Sequence, residues 1–133
     1  MAMRIITTDP IADLLTRIRN GLAVSQDTIV LPYSKMKEAI VKLLKERNFI
    51  TDYKVGEGNK ELNLILFELD ANSRITGLER ISKPGRRVYV ASRDIPKIMG
   101  GRGVVIVSTS KGVIDGEAAK QQGLGGELIC KVW

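Results

Sequence analysis

The stretch VVIVSTSKG, residues 104–112, combines an apolar strand with an unusually polar end. Its first four residues are apolar and β-branched, which is typical of a buried strand. Three hydroxyl side chains follow, those of Ser108, Thr109 and Ser110, and then a lysine, Lys111. A hairpin turn needs only one or two polar residues, so the run indicates a binding loop at the end of the strand. The alternative is that the hydroxyls satisfy only the backbone groups of a turn.

The second half of the chain, which surrounds this strand, is predicted to be mostly antiparallel β. Its other strands are predicted at residues 75–81, 88–90, 113–114 and 125–133. A short helix is expected between the last two of these strands, capped by Asp115 and ended by Gly123. Between the first two, Pro84 and Gly85 suit the central positions of a type II turn.

The first half of the chain predicts the order α-β-α-β-β. Apolar residues at helical spacing define the buried face of the first helix: Ile11, Leu14, Leu15 and Ile18. That helix is expected to have Thr8 as its cap, Pro10 in its first turn and Gly21 as its end. Ser34 is expected to cap the second helix.

A polar segment near the middle, DANSR at residues 70–74, predicts the domain boundary. It separates an N-terminal α/β domain, residues 1–70, from a C-terminal β-rich domain, residues 71–133. Each half has only about 65 residues and would be marginally stable alone, so we expect the halves to pack together. The predicted fold class is therefore α+β, with two small packed domains.

The composition restricts the chemistry that this chain can perform. It has no histidine and a single cysteine, Cys130, which excludes a structural zinc site and removes the commonest general base. We interpret Cys130 as a buried thiol in a reducing compartment. No apolar run approaches the ~18 residues that a membrane span needs. We expect no enzyme activity, cofactor, metal, membrane or small-molecule substrate.

The positive charge of the chain lies in one third of its length. The net charge is +6. Residues 80–111 contain eight lysines and arginines and a single acid, Asp94, whereas the rest of the chain is nearly neutral. A solubilising charge would be more evenly distributed. The pattern favours a surface that binds a polyanion, although a solvated basic face without a partner remains the alternative.

Two further motifs contribute to this expectation. In SKPGRRVY, residues 82–89, three cations border a rigid turn and Tyr89 follows, an arrangement suited to phosphate contact and base stacking. The cations are Lys83, Arg86 and Arg87, and no acid is near them in sequence. In GLGG, Gly125 and Gly126 precede a strand, where the absent side chains would allow close approach of a nucleic acid. The alternatives are that the glycines serve only to form a turn and that Tyr89 packs in the core.

These motifs also carry a resemblance that extends over essentially the whole chain. STSKGV, then a short capped helix, then GLGGELICKVW closely resemble the bacterial-type small-subunit ribosomal protein eight family. TDPIADLLTRIRNG near the start and SKPGRRVY in the middle are also similar to that family.

The resemblance implies a two-domain protein that is a primary binder of the central domain of small-subunit rRNA. It implies recognition of an irregular helix with an internal loop, a requirement in platform assembly, and neighbouring small-subunit proteins as partners. Repression of its own operon mRNA occurs in part of the family. The location would be the ribosome, in the cytoplasm or in the equivalent compartment of an organelle. The RNA contacts that it implies here are Ser108, Thr109, Ser110, Gly125, Gly126, Glu127, Lys83, Arg86 and Tyr89, with Lys54 as a further candidate.

Two other hypotheses compete with a ribosomal RNA-binding protein. A nucleic-acid binder without sequence preference would need only the basic third of the chain. A small enzyme that binds a phosphorylated ligand would use the glycine clusters GGRG and GLGG. Each cluster, however, runs into a strand rather than a helix, and neither matches a phosphate-binding fingerprint.

Overall fold

The computed structural model describes residues 9–65 and 75–133, and these form three α-helices, three short 3-10 helices and eight strands. The first half contains α1 (Pro10–Ala23), β1 (Thr28–Pro32), α2 (Lys35–Glu46), β2 (Asp52–Val55) and β3 (Glu61–Ile65). The second half contains β4 (Leu78–Arg80), β5 (Tyr89–Val90), β6 (Val104–Thr109), β7 (Gly112–Asp115), α3 (Gly116–Gln121) and β8 (Gly126–Val132). The predicted α+β class and the order α-β-α-β-β are confirmed. The boundary predicted at 70–74 lies outside the described residues.

Two antiparallel sheets organise the chain. In the first half, β3 lies between β1 and β2. In the second half the order is β4-β8-β6-β7, and β5 also pairs with β8. All of these pairs are antiparallel. Strand β8 is therefore central, and its first residues lie between β5 and β6.

The caps of the two long helices differ in how well the sequence predicts them. Ser34 caps α2, where its side chain accepts a hydrogen bond from the Lys37 amide, as expected. In α1 the cap is Asp9, whose carboxylate accepts from the Ala12 amide at 3.2 Å, and Thr8 lies outside the described residues. The prediction that Gly21 ends α1 is wrong. A glycine ends a helix by adopting positive φ, and here Ser25 does so instead, while Gly21 is buried.

A large core joins the two halves of the chain. Apolar residues of α1 and α2 pack in one cluster with residues of β4, β6 and β8, including Leu78, Ile106 and Cys130. A smaller cluster lies on the other face of the C-terminal sheet, where Val105, Val107 and Leu128 pack with Ala119 of α3. Strand β6 is thus buried on both faces, which explains its uninterrupted apolar sequence.

Arginine side chains from one half bind polar groups of the other half. Arg80 forms an ion pair with Asp9 at 2.6 Å, and both side chains are largely buried. Arg19 donates to the Leu78 carbonyl at 2.9 Å. Arg47 donates to the carbonyls of Gly101 and Gly103, each at 3.2 Å. Arg80, although part of the basic third, therefore stabilises the packing of the two halves.

Lys37 and Cys130 are ionisable residues placed in the core. The Lys37 side chain is 6% exposed, and its ammonium donates to Asp13 at 2.8 Å and to the Pro32 carbonyl at 3.1 Å. It therefore links α1, β1 and α2. Cys130 is fully buried, and burial raises its pKa to about 12. The thiol is therefore protonated at neutral pH, which supports the interpretation of Cys130 as a buried structural residue.

The ion pair between Asp9 and Arg80 predicts an acid-dependent stability. Burial alone would raise the pKa of Asp9, but hydrogen bonds from Arg80 and the Ala12 amide, with the Arg80 charge, lower it below its ordinary 3.8. A carboxyl whose pKa is depressed on folding stabilises the native state above its unfolded pKa, and this contribution is lost as the pH falls through its folded pKa. We expect Asp9→Asn, which keeps a capping side chain, to lose on the order of 1–3 kcal/mol at pH 7.

Urea unfolding at pH 7 and below pH 3 measures this contribution. The deficit of Asp9→Asn relative to the wild type should shrink at the lower pH, since the wild-type carboxyl is then protonated. Asp27→Asn is the matched control, because Asp27 is exposed and forms no ion pair within the described part of the chain. An equal deficit at both pH values would contradict the role given to the Asp9 charge.

Candidate nucleic-acid interface

Three of the predicted site residues lie side by side in one row across the C-terminal sheet. Tyr89 of β5 pairs with Glu127 of β8, Glu127 pairs with Ser108 of β6, and Ser108 pairs with Val113 of β7. Residues directly opposite each other in antiparallel strands project to the same face. With strands about 4.8 Å apart, Tyr89 and Ser108 lie roughly 10 Å from each other. Tyr89 is 67% exposed, so the alternative that it packs in the core is wrong.

An ion pair lies within this row. Arg87 donates to Glu127 across the strands at 3.1 Å, and the Glu127 side chain is only 13% exposed. The sequence predicts Arg87 as a phosphate contact, because no acid lies near it along the chain. The partner comes instead from β8, 40 positions later in the chain. The charge of Arg87 is therefore largely balanced, and its guanidinium holds the Glu127 carboxylate beside Tyr89 and Ser108.

The three hydroxyls have different roles. The strand continues to Thr109, and only Ser110 and Lys111 form the turn of a two-residue hairpin that closes at Gly112. The predicted binding loop is therefore mostly strand. The Thr109 hydroxyl donates to the Gly112 carbonyl at 2.9 Å and accepts from the Lys111 amide at 3.1 Å. These bonds brace the turn.

Ser108 and Ser110 differ from Thr109 in having no internal partner. Within the described residues, neither hydroxyl forms a hydrogen bond to another group of the chain. Ser108 is half-buried at the end of the row, and Ser110 is exposed in the turn. The interpretation that hydroxyls only satisfy turn backbone therefore holds for Thr109 alone. Both serines keep their donors and acceptors available to a ligand.

The two glycines before β8 are required by the chain itself. A Cβ on Gly126 would lie 2.1 Å from the Ser108 carbonyl oxygen, and one on Gly125 would lie 2.6 Å from the Val90 carbonyl oxygen. Neither glycine has positive φ. The missing side chains therefore let β8 enter between β5 and β6. This close approach of the chain's own backbone supplies a reason for the glycines that does not involve a ligand.

The turn that contains Lys83 and Arg86 is held in place by a buried serine. Ser82 is fully buried, and its hydroxyl accepts from the Val88 amide at 2.8 Å. Lys83 and Arg86 exchange backbone hydrogen bonds of 3.0 and 2.8 Å. The type II turn predicted here is wrong, because Gly85 does not have the positive φ that this type requires. Pro84, which precedes Gly85, is equally compatible with a type I turn.

Not all predicted residues are brought together. Lys83 and Arg86 border a groove whose floor includes Val88 and Leu128, the sequence neighbours of Tyr89 and Glu127. Since successive residues of a strand face opposite sides, this groove and the row lie on opposite faces of the sheet. Lys54 is in β2, opposite Asn63, and belongs to the other sheet.

The basic third of the chain remains largely unpaired after folding. Arg80 and Arg87 are the two of its eight cations with an acidic partner in the described regions. The other six are exposed and form no ion pair with a described residue: Lys83, Arg86, Arg93, Lys97, Arg102 and Lys111. All six lie in the segments that connect the strands of the C-terminal sheet. This distribution fits a polyanion-binding surface better than scattered solubilising charge.

The described part of the chain contains neither a metal-binding cluster nor a membrane-spanning helix. Among residues 9–65 and 75–133, no group of three or more acidic or cysteine side chains is arranged to hold a metal ion. The helices of the same residues are each too short or too polar to span a bilayer.

Comparisons with known proteins place the chain in a family. The family model described as "Ribosomal protein S8" matches residues 9–133. A protein of Dehalococcoides mccartyi (strain CBDB1), named small ribosomal subunit protein uS8, is 50% identical over 129 residues, which cover 95% of this chain and 98% of that protein. The protein of the same name from Shewanella loihica is 50% identical over 125 residues, covering 93% and 96%. The chain belongs to the ribosomal protein S8 family.

Proposed function

We propose that this protein is a structural component of the small ribosomal subunit and a primary binder of the central domain of its rRNA. The observation that carries the proposal is the similarity, at 50% identity over nearly the whole chain, to proteins named as small-subunit proteins. The row of Tyr89, Glu127 and Ser108, with the unpaired Lys111 in the adjoining hairpin turn, supports an RNA contact. In this role the protein contributes to platform assembly, contacts neighbouring small-subunit proteins and performs no enzymatic reaction.

The chemistry of the row suits an RNA of irregular shape. An exposed aromatic ring offers a stacking surface, but a base must leave a regular helix to reach it. A carboxylate accepts hydrogen bonds and so distinguishes base edges that carry amino groups. The Ser108 and Ser110 hydroxyls donate and accept, and they are short enough for the RNA to approach β6. These groups favour an internal loop with unpaired bases over a continuous duplex.

Exposed cations other than Lys83 and Arg86, which border the groove on the opposite face, supply the part of the affinity that does not depend on sequence. Lys111, beside Ser110, is well placed for a phosphate that flanks the bound loop. The contacts implied for Gly125 and Gly126 would use their backbone groups, and the contact implied for Lys54 would extend the surface to the first half. If the operon mRNA of this protein has a matching internal loop, the same surface would bind it and repress translation.

A gel-shift comparison tests this proposal. The RNAs are the irregular central-domain helix and a scrambled, fully paired helix of equal length and composition. The proposal predicts at least ~100-fold tighter binding to the irregular helix at physiological salt. Equal affinity for both RNAs would favour a nucleic-acid binder without sequence preference.

Two cations near the row should affect RNA binding differently. Lys111→Ala should reduce the slope of log affinity against log salt by about one unit and weaken binding to all RNAs similarly. Arg87→Ala should change the slope less, because Glu127 already balances its charge. It should instead reduce discrimination between the two RNAs, since the Glu127 carboxylate loses its partner. Titrations at several salt concentrations check both results, and identical behaviour of the two variants would contradict them.

A further inference from the structure

A groove on the opposite face of the C-terminal sheet is independent of the row. It has a volume of about 460 Å³ and lies between the 83–86 turn and the segment at 96–98. Four aliphatic side chains form its floor: Ile81, Val88, Ile98 and Leu128. Each of them packs on the smaller core cluster. The floor of the groove is therefore an apolar surface that packs against the protein core.

The border of this groove carries an excess of positive charge. Arg80 and Lys131 also line it, but Asp9 and Glu79 pair with them at 2.6 and 3.0 Å. Lys83 and Arg86 are exposed and have no acidic partner among the described residues. An occupant that brings carboxylates to this border would balance two charges that the chain itself leaves unbalanced.

The lining of the groove favours a protein over an RNA as the occupant. It contains no aromatic side chain among the described residues, so it offers no ring on which a base could stack. Phosphates would contact the two cations but leave the aliphatic floor exposed to water. An extended protein segment that alternates acidic and aliphatic side chains would satisfy both the border and the floor.

We propose that this groove binds an acidic, aliphatic segment of another protein while the row on the opposite face binds RNA. One or two aliphatic side chains of the segment lie on the floor, and its carboxylates contact Lys83 and Arg86. This assigns the two cations to a protein partner, in place of the phosphate contact that the sequence predicts. The groove thereby gives the domain two binding faces that can be occupied together.

Methyl NMR of the full chain tests the proposal directly. The probe is a synthetic heptapeptide of alternating glutamate and leucine, blocked at both ends. It should shift the methyl signals of the four floor residues, with a dissociation constant on the order of 1 mM or tighter. The same peptide with lysine in place of glutamate should not bind. Binding of neither peptide, or equal binding of both, would overturn the proposal.

Two variants and an RNA complete the test. Pro96→Glu places an acid at an exposed position of the groove and should weaken peptide binding at least fivefold. Lys83→Glu should weaken it to the same extent. Val24→Glu is the matched control, since Val24 is 71% exposed and lies in the first half. If both groove variants bind like the control, the proposal fails. It also fails if a short single-stranded oligouridylate shifts the floor methyls and displaces the peptide.

Discussion

Replacing Gly126 by alanine should destabilise the protein by roughly 3 kcal/mol, the upper part of the range for overpacking in a close-packed structure. The added Cβ would lie 2.1 Å from the Ser108 carbonyl oxygen and 3.0 Å from its carbon. These are backbone atoms of the strand that pairs with β8, so they cannot rotate away as a side chain would. Relief requires β6 and β8 to separate where the row of Tyr89, Glu127 and Ser108 crosses them.

Thermal unfolding of Gly126→Ala and Gly85→Ala provides the measurement and its control. Gly85 has no atom within 4 Å of an added Cβ and no positive φ, so its replacement should change stability by less than about 0.5 kcal/mol. If Gly126→Ala melts like the wild type while RNA affinity falls, the glycine serves the approach of RNA and not the fold.

The second large effect concerns the two serines without internal partners. Replacing both Ser108 and Ser110 by alanine should leave the folded state nearly unchanged, because no described group loses a hydrogen bond. In the RNA complex each deletion would leave a polar group of the RNA unpaired, which costs on the order of 1–3 kcal/mol. The double variant should therefore bind the irregular helix at least ~30-fold more weakly.

Thr109→Ala is the matched control for this prediction. It also removes a hydroxyl, but it breaks two hydrogen bonds that hold the turn. We expect it to lower the melting temperature with a smaller effect on discrimination between RNAs. If all three hydroxyl deletions lower stability and leave RNA affinity unchanged, then the hydroxyls at 108–110 serve only to satisfy backbone groups of the turn.

Local signals in the sequence were sufficient for much of the fold. Ser34 and Asp115 cap their helices as predicted, because a capping side chain acts on amides two or three residues away. The wrong predictions occur where neighbouring residues are equally able to cap or end a helix or to form a turn. Thr8 and Asp9 are both good caps, and Gly21 could have ended α1 if its φ were positive. Whether Gly85 adopts positive φ likewise depends on how the surrounding strands fix the turn.

The arrangement of the site depended on contacts between distant parts of the chain. The ion pair between Arg87 and Glu127 follows from the register of β5 and β8, which no local pattern specifies. The same register explains why Gly126 must lack a side chain. Ser82 was missed for a related reason, because a serine beside a turn is ordinary in sequence. Its buried hydrogen bond to Val88 appears only when the strands are assembled.

The separation of predicted site residues onto two faces follows from the alternation of strand side chains. Tyr89 and Glu127 share one face, whereas Val88 and Leu128 share the other. The sequence places Lys83 and Arg86 close to Tyr89 along the chain, but the turn that contains them borders the opposite groove. Residues that are close in sequence therefore suggest one continuous site, but the sheet separates them into the row on one face and the groove on the other.

We infer that the row and the neighbouring Ser110 recognise RNA shape, while exposed cations outside the groove supply affinity that is independent of sequence. A titration of the Ser108→Ala, Ser110→Ala double variant against the irregular and the scrambled helix at two salt concentrations tests this inference. We expect a loss of affinity confined to the irregular helix, of equal size at both salt concentrations, with an unchanged salt slope. A parallel loss for both RNAs, or a loss that disappears at higher salt, would contradict it.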